Sequence, residues 1–238
     1  MVLLMRKPFF TILLLIVALC SHIYVYAQLQ VQPTIGEAFC YVAKKNISTD
    51  FSTATKPNAG IFIHVPIVDR LQLQTGAMFM QTGYSSQSTE KSVRAKTVYS
   101  ITNTINYFSV PLLLSYQVYK HKQFQYWVDA GINYNFFISG NTHYNITDYL
   151  NDVRTGTNSF SRPINAPLVR QYTDPNAGRD DLTGLDLAFK LQFHVVCNKH
   201  YSFGLYWENG LYSILANPAD ASSITLHSVG ISIGYLIL

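Results

Sequence analysis

Chemistry needs side chains of the correct type at a workable spacing, and this chain offers few. His227 and Ser228 are adjacent. On an extended strand, neighbours point to opposite faces. A lipid-modifying enzyme would need a histidine and a serine two apart at a barrel rim, so this pair cannot serve. His143 stands in a polar stretch without a matched partner, and the histidines are scattered with no paired spacing of a metal site. No catalytic, cofactor-binding or metal residue is expected. The informative groups are charges that alternation turns inward: Asp129, Asp186, Lys190 and Glu208. Asp129 and Lys190 are expected on adjacent antiparallel strands, facing each other, with Glu208 approaching Lys190 from the other side. One buried cation between two carboxylates fits a polar network that fills a lumen better than a path for ions.

Strands must position these groups. Tyr107 to Tyr119 reads YFSVPLLLSYQVY. Phe108, Val110, Leu112, Leu114, Tyr116 and Val118 fall on one face, and a smaller, more polar set falls on the other. The pattern recurs. Strands are expected at about 34–43, 58–67, 71–84, 107–119 (with a start as early as Thr97 allowed), 124–139, 182–195, 200–213 and 223–238. In the fifth, Tyr126 to Ile138 alternate outward, while Asp129, Gly131, Asn133 and Asn135 alternate inward. Most of these strands exceed the ~9–11 residues that a tilted strand needs to cross a bilayer. The connections alternate between tight turns (68–70, 120–123, 197–199) and long polar loops (44–57, 85–96, 141–180), as in an outer-membrane barrel. The expectation is an all-β, eight-stranded antiparallel up-and-down transmembrane β-barrel, with its long loops outside and its short turns and both termini in the periplasm. Tyr116, Tyr126, Tyr201 and Tyr235 should form the periplasmic aromatic girdle. The first strand is ambiguous, because Glu37 should point inward and would take Phe39 and Tyr41 with it.

Composition agrees. Charged residues are 13% of the chain and aromatics 14%, lean in charge for a water-facing surface. Arg6 and Lys7, then the apolar run Phe9 to Leu19, then Val25-Tyr26-Ala27 read as a signal peptide over residues 1–27. The mature barrel domain is then 28–238. Removing Arg6 and Lys7 from 17 basic residues leaves 15 against 13 acidic. No basic stripe appears, which argues against nucleic acid as a partner. Cys40 falls in the first strand and Cys197 in the turn after the sixth, strands that are not neighbours in such a ring, so two free thiols are expected.

The stretch Asn106 to Tyr116 (NYFSVPLLLSY) resembles a strand motif of the PorT-like outer-membrane β-barrel proteins of Bacteroidota. Asp129 to Tyr134 and Trp207 to Ile214 resemble later strands of that family, and the likeness runs over nearly all of the mature chain. The inward Glu and Lys usual in the family's fourth strand are Ser109 and Ser115 here, so an ion pair there is absent or moved. The resemblance implies an integral outer-membrane barrel and a link to protein secretion.

The function expected is therefore a non-enzymatic outer-membrane barrel with a side-chain-filled lumen and a structural or interaction role. Its partners would be outer-membrane lipid, the barrel-assembly machinery during biogenesis, and a protein met at the outer loops or the periplasmic face. Tyr144, Tyr149, Phe160 and Tyr172 are the expected contact residues of the 141–180 loop. Two other readings compete. A soluble periplasmic lipocalin-like barrel would turn its apolar faces inward, which the inward Asp129, Asp186 and Lys190 oppose. An outer-membrane lipid-modifying enzyme is opposed by the spacing of His227 and Ser228.

Overall fold

The computed structural model describes residues 29–45, 50–164, 166, 182–215 and 223–237. The expected signal peptide lies outside the described residues. Ten strands occur in chain order: β1 (Gln30–Lys45), β2 (Asp50–Ser52), β3 (Ala54–Val68), β4 (Leu71–Lys91), β5 (Ala95–His121), β6 (Phe124–Leu150), β7 (Val153–Pro163), β8 (Leu185–Cys197), β9 (Tyr201–Gly210) and β10 (Ser223–Tyr235). Eight of them close a ring, β1-β3-β4-β5-β6-β8-β9-β10 and back to β1, every pair antiparallel. Closure leaves no open edge within lipid, where an unpaired backbone group has no partner. β2 adds to β4 and β7 to β6, outside the ring.

The ring is sheared. A row of paired residues begun at Cys40 passes Ser228, Glu208, Lys190, Gly131, Leu113, Gln74 and His64, and returns to β1 at Gln30, ten residues from its start. Such a stagger tilts the strands and sets the bore of an eight-stranded barrel, which side chains fill.

The tight turns stand where the sequence places them. Arg70, Lys122, Asn198 and Lys199 take positive φ (65°, 51°, 53° and 65°) at the end that carries the chain's first described residues. The opposite end differs from expectation. Segments 85–96 and 141–163, read as polar loops, are strand: β4 and β5 run on to a turn at 92–94, and β6 runs to Leu150 before turning into β7. Asn151 and Asp152 both have positive φ (49° and 63°), as a two-residue hairpin turn demands. Part of 44–57 is strand as well, in β2 and the start of β3. These extensions lie beyond the membrane, with neither face in lipid. They carry Ser, Thr, Asn and Gln where a membrane strand carries Leu and Ile, so the apolar period that marks a buried face is missing.

Facing follows the pattern elsewhere. Phe108, Leu112, Leu114, Tyr116 and Val118 are exposed to the surroundings, while Ser109, Leu113 and Ser115 are sealed inside. Tyr116, Tyr119, Tyr126, Tyr201 and Tyr235 ring the turn end, Tyr119 and Tyr126 at 5.9 Å and Tyr201 and Tyr235 at 5.4 Å between ring centres. β1, ambiguous in the sequence, takes one facing. Its even residues Gln32, Thr34, Ala38 and Cys40 are buried inside, and Glu37 points out with Ile35, Phe39 and Tyr41. Lipid-facing area decided the facing: Ile35, Phe39 and Tyr41 together outweigh one carboxylate. Cys40 and Cys197 are free thiols.

Candidate functional site: the lumen and the outer sheet

The lumen is layered. Nearest the turns, His64 is buried between Gln32 and Gln72. Its Nε2 lies 3.0 Å from Gln32 Oε1, and Gln72 Nε2 lies 3.0 Å from its Nδ1. The neutral Nε2–H tautomer satisfies both contacts. Across the bore His194 Nδ1 lies 2.8 Å from Asp129 Oδ2, with the His194 ring stacked on Trp127. A vestibule of about 320 Å³ opens at this end, lined by Arg70, Gln72, Gln117 and Trp127, and its inner wall includes His64 and His194.

The charged layer comes next. Lys190 Nζ is 3.9 Å from Glu208 Oε2 and 4.3 Å from the centre of the Tyr206 ring. Glu208 Oε1 accepts from Asn133 Nδ2 at 2.8 Å and from Asn135 Nδ2 at 3.4 Å. Asp186 Oδ2 accepts from the same Asn135 amide at 3.5 Å. Ser109 Oγ donates to Asn133 Oδ1 at 2.9 Å and also touches Asn135 Oδ1. Asn58 Nδ2 donates to Tyr206 OH at 2.7 Å. All of these residues are buried. Above them Met78, Met80, Ile105, Tyr107, Ile224 and Leu226 join Leu182 and Ile214 in an apolar cluster that fills the outer half of the bore.

Three of the four predicted lumen residues, Lys190, Glu208 and Asp186, thus share one layer. Asp129 does not complete it, because it takes His194 and not Lys190 as its partner. The register shows why spacing could not choose: Asp129 pairs with Gln192, so Lys190 and His194 are equal diagonal neighbours on the inward face. A direct hydrogen bond to imidazole decided between them. Asn133, Asn135 and Tyr206, which bind the layer together, carry no signal beyond their inward parity. The apolar cap was also unread, since inward Met, Ile and Tyr look like breaks in a polar face.

Outside the membrane β2, β4, β5, β6 and β7 continue as one five-stranded antiparallel sheet. Its inner face carries a row of paired residues, Phe51, Ser86, Ile101, Tyr144 and Phe160, with Tyr144 and Phe160 stacked at 4.8 Å. Its outer face is hydroxyl and amide: Ser85 bonds Thr102 at 3.1 Å, and His143, which the sequence left without a partner, lies 3.0 Å from Ser161, the residue it pairs with on β7. Of the predicted contact residues, Tyr144 and Phe160 share the inner face. Tyr149 is on the outer face under Lys96, whose Nζ is 5.3 Å from its ring centre. Tyr172 lies outside the described residues. Tyr99 donates to Glu90 at 3.3 Å, and that carboxylate raises the phenol's pKa.

Among solved structures the chain is similar to Ail, the attachment invasion locus protein of Yersinia pestis, at 9% identity and TM-score 0.37, covering 87% of this chain and 98% of that one. It is similar to the outer membrane protein OprG of Pseudomonas aeruginosa at 12% identity and TM-score 0.37, covering 88% and 95%. It is also similar to Neisserial surface protein A at 7% identity and TM-score 0.33, covering 87% and 96%. No curated protein matches it. Residues 25–206 match the family described as outer membrane protein beta-barrel domain. With a closed ring, an apolar outer wall and an aromatic girdle already in place, that match makes the chain a member of this family, an integral barrel of the outer membrane.

Proposed function

We propose that this is a non-enzymatic, non-conducting outer-membrane barrel whose working surface is the five-stranded sheet outside the membrane. The observation that carries the reading is the division of labour along the strands. The membrane part is plugged by the Lys190–Glu208 layer and the apolar cap above it. The strands then run on past the bilayer into a sheet whose inner face exposes Phe160 and half-exposes Phe51, Ile101 and Tyr144. Long strands without a lumen to serve suit an interaction protein. Against enzyme chemistry, the histidines that meet a hydroxyl, His143 on Ser161 and His227 on Thr225, have no carboxylate partner among the described residues, and His194, which has Asp129, is hydrogen-bonded to no hydroxyl or thiol. The mature protein would begin at Gln28, be inserted by the barrel-assembly machinery and sit in outer-membrane lipid. A link to protein secretion is supported by the PorT-like strand motifs at Asn106–Tyr116 and Asp129–Tyr134, and it would place the partner in a secretion assembly.

The test is pull-down from detergent-solubilised outer membranes, with the parent and with a Tyr144→Ala/Phe160→Ala variant. A partner retained by the parent and lost by the variant is expected. Equal retention by both would remove the sheet from the account. Altered lipid A masses in a deletion strain, restored by the parent gene, would make the protein an enzyme instead.

A further inference from the structure

The vestibule at the turn end holds about 320 Å³, within the ~300–1,000 Å³ of small-molecule pockets. Its wall carries polar groups that the barrel itself does not use. Gln72 is committed to His64, and His194 Nδ1 to Asp129. Among the described residues the side-chain amides of Gln117 and Gln125, the Trp127 Nε1–H and His194 Nε2 have no hydrogen-bond partner. Gln117 is the sharpest case. It is nine-tenths buried, and its Nε2 is sealed from solvent with nothing to donate to. An amide left so costs stability that an apolar side chain of the same shape would not. The last torsion of a glutamine is soft, so this amide can turn its N–H to a ligand at the wall.

The wall also defines the chemistry that fits it. Its charges balance: Arg70 at the rim has Asp69 4.0 Å away, and His194 has Asp129 at 2.8 Å. Neither an anion nor a cation is favoured. A side-chain amide donates and accepts from one group, which matches a hydroxyl that does the same. Trp127 adds an aromatic plane, and Val196 and Leu236 add apolar surface. A ring with hydroxyls round its edge and C–H groups on its faces meets all three. An extended peptide fits less well. It binds along a free strand edge, and the ring of strands that forms this cup is closed.

We propose that the vestibule binds a neutral saccharide, with Gln117 and Gln125 holding its hydroxyls and Trp127 packing against the sugar ring. His64 and His194 close the inner end, so the site takes a free sugar or the end of a chain and does not pass it through the barrel. With the tight turns in the periplasm, two sources have this chemistry: the end of a cell-wall glycan strand and a soluble oligosaccharide. The site lies at the opposite end of the barrel from the outer sheet, so it stands or falls separately from the function proposed above.

The chain has two tryptophans, so Trp207→Phe leaves Trp127 as the one reporter. This barrel, folded in a detergent without sugar headgroups, is titrated with cellobiose, maltose and diacetylchitobiose while acrylamide quenching of Trp127 is followed. At least one of the three should shield Trp127 saturably. Gln117→Leu and Gln125→Leu should each weaken that binding roughly tenfold, about the worth of one hydrogen bond. Gln117→Leu should also unfold in urea no earlier than its parent. Co-sedimentation with purified cell-wall sacculi separates the sources. A barrel that sediments and is released by the disaccharide takes a glycan end; one that binds the disaccharide but stays in solution takes a soluble sugar. No shielding by any of the three sugars overturns the proposal. So does shielding that neither leucine variant weakens, or shielding by tetra-alanine and not by sugars, which would make the cup a peptide site. A Gln117→Leu barrel clearly less stable than its parent overturns it too, because the amide would then have its partner inside the barrel.

Discussion

Replacing Lys190 by Met tests the charged layer where it is most exposed to refutation. Lys190 is 3% and Glu208 4% exposed, and the ammonium lies 3.9 Å from Glu208 Oε2. That oxygen has no hydrogen bond; only Oε1 is held, by Asn133 and Asn135. Met keeps most of the volume against Tyr206, so the loss is electrostatic. It has two sources: a carboxylate left without its cation, and the cation–π contact with a ring 4.3 Å away. Removing one partner of a buried pair typically costs ~3–5 kcal/mol, and the desolvated cation–π contact about 2 kcal/mol. These share one ammonium and do not add, so a loss of ~3–5 kcal/mol is expected. The assay is urea unfolding of the detergent-folded barrel, followed by Trp127 and Trp207 fluorescence. The double variant Lys190→Met/Glu208→Gln should recover most of the loss, since it removes the stranded charge as well. Asp129→Asn should couple to Lys190→Met less strongly than Glu208→Gln does, because Asp129 lies diagonal to Lys190 but is hydrogen-bonded to His194. A Lys190→Met barrel within about 1 kcal/mol of the parent would refute the buried pair. So would a double variant no better than the single one.

Other expectations follow from the same arrangement. Purified protein in planar bilayers should give no steady open channel, since side chains fill an eight-stranded bore; conductance of porin size would contradict the plug. Leu191→Lys, one residue from Lys190 on the opposite face, should cost less than the roughly 2–4 kcal/mol of a midplane site, because Leu191 lies towards the turn end. Removing Glu208 should not relieve that loss. N-terminal sequencing of the membrane-inserted protein should begin at Gln28, and a start before Phe9 would mean that the apolar leader is retained.

What could be read in advance depended on whether one face met lipid. Along β5, β6, β8 and β10 it did, and parity alone placed Leu112, Ile132, Leu191 and Ile231 outside and Asp129, Lys190 and Ser228 inside. Where neither face met lipid the period vanished. The strand from Asn141 to Leu150 therefore read as loop, although Asn151 and Asp152 are well suited to the positive φ of its turn. β1 was ambiguous for another reason: one charge argued for the lumen and the aromatics two and four residues on argued for lipid, and the structure leaves Glu37 in the wall with them. In the lumen, parity supplied the cast but not the pairs. Asp129 had two diagonal candidates, and only three-dimensional placement distinguishes His194 from Lys190.

The central claim is a barrel with lipid outside and a filled lumen within, and consecutive residues of β5 test it most directly. Single spin labels at Leu112, Leu113, Leu114 and Ser115, in a background lacking Cys40 and Cys197, should alternate in bilayers. Labels at Leu112 and Leu114 should be mobile and strongly relaxed by dissolved oxygen. Those at Leu113 and Ser115, both 0% exposed, should be immobile and shielded from oxygen and from a water-soluble relaxant alike. The opposite phase, or ready access of the water-soluble relaxant to Leu112 and Leu114, would contradict the account.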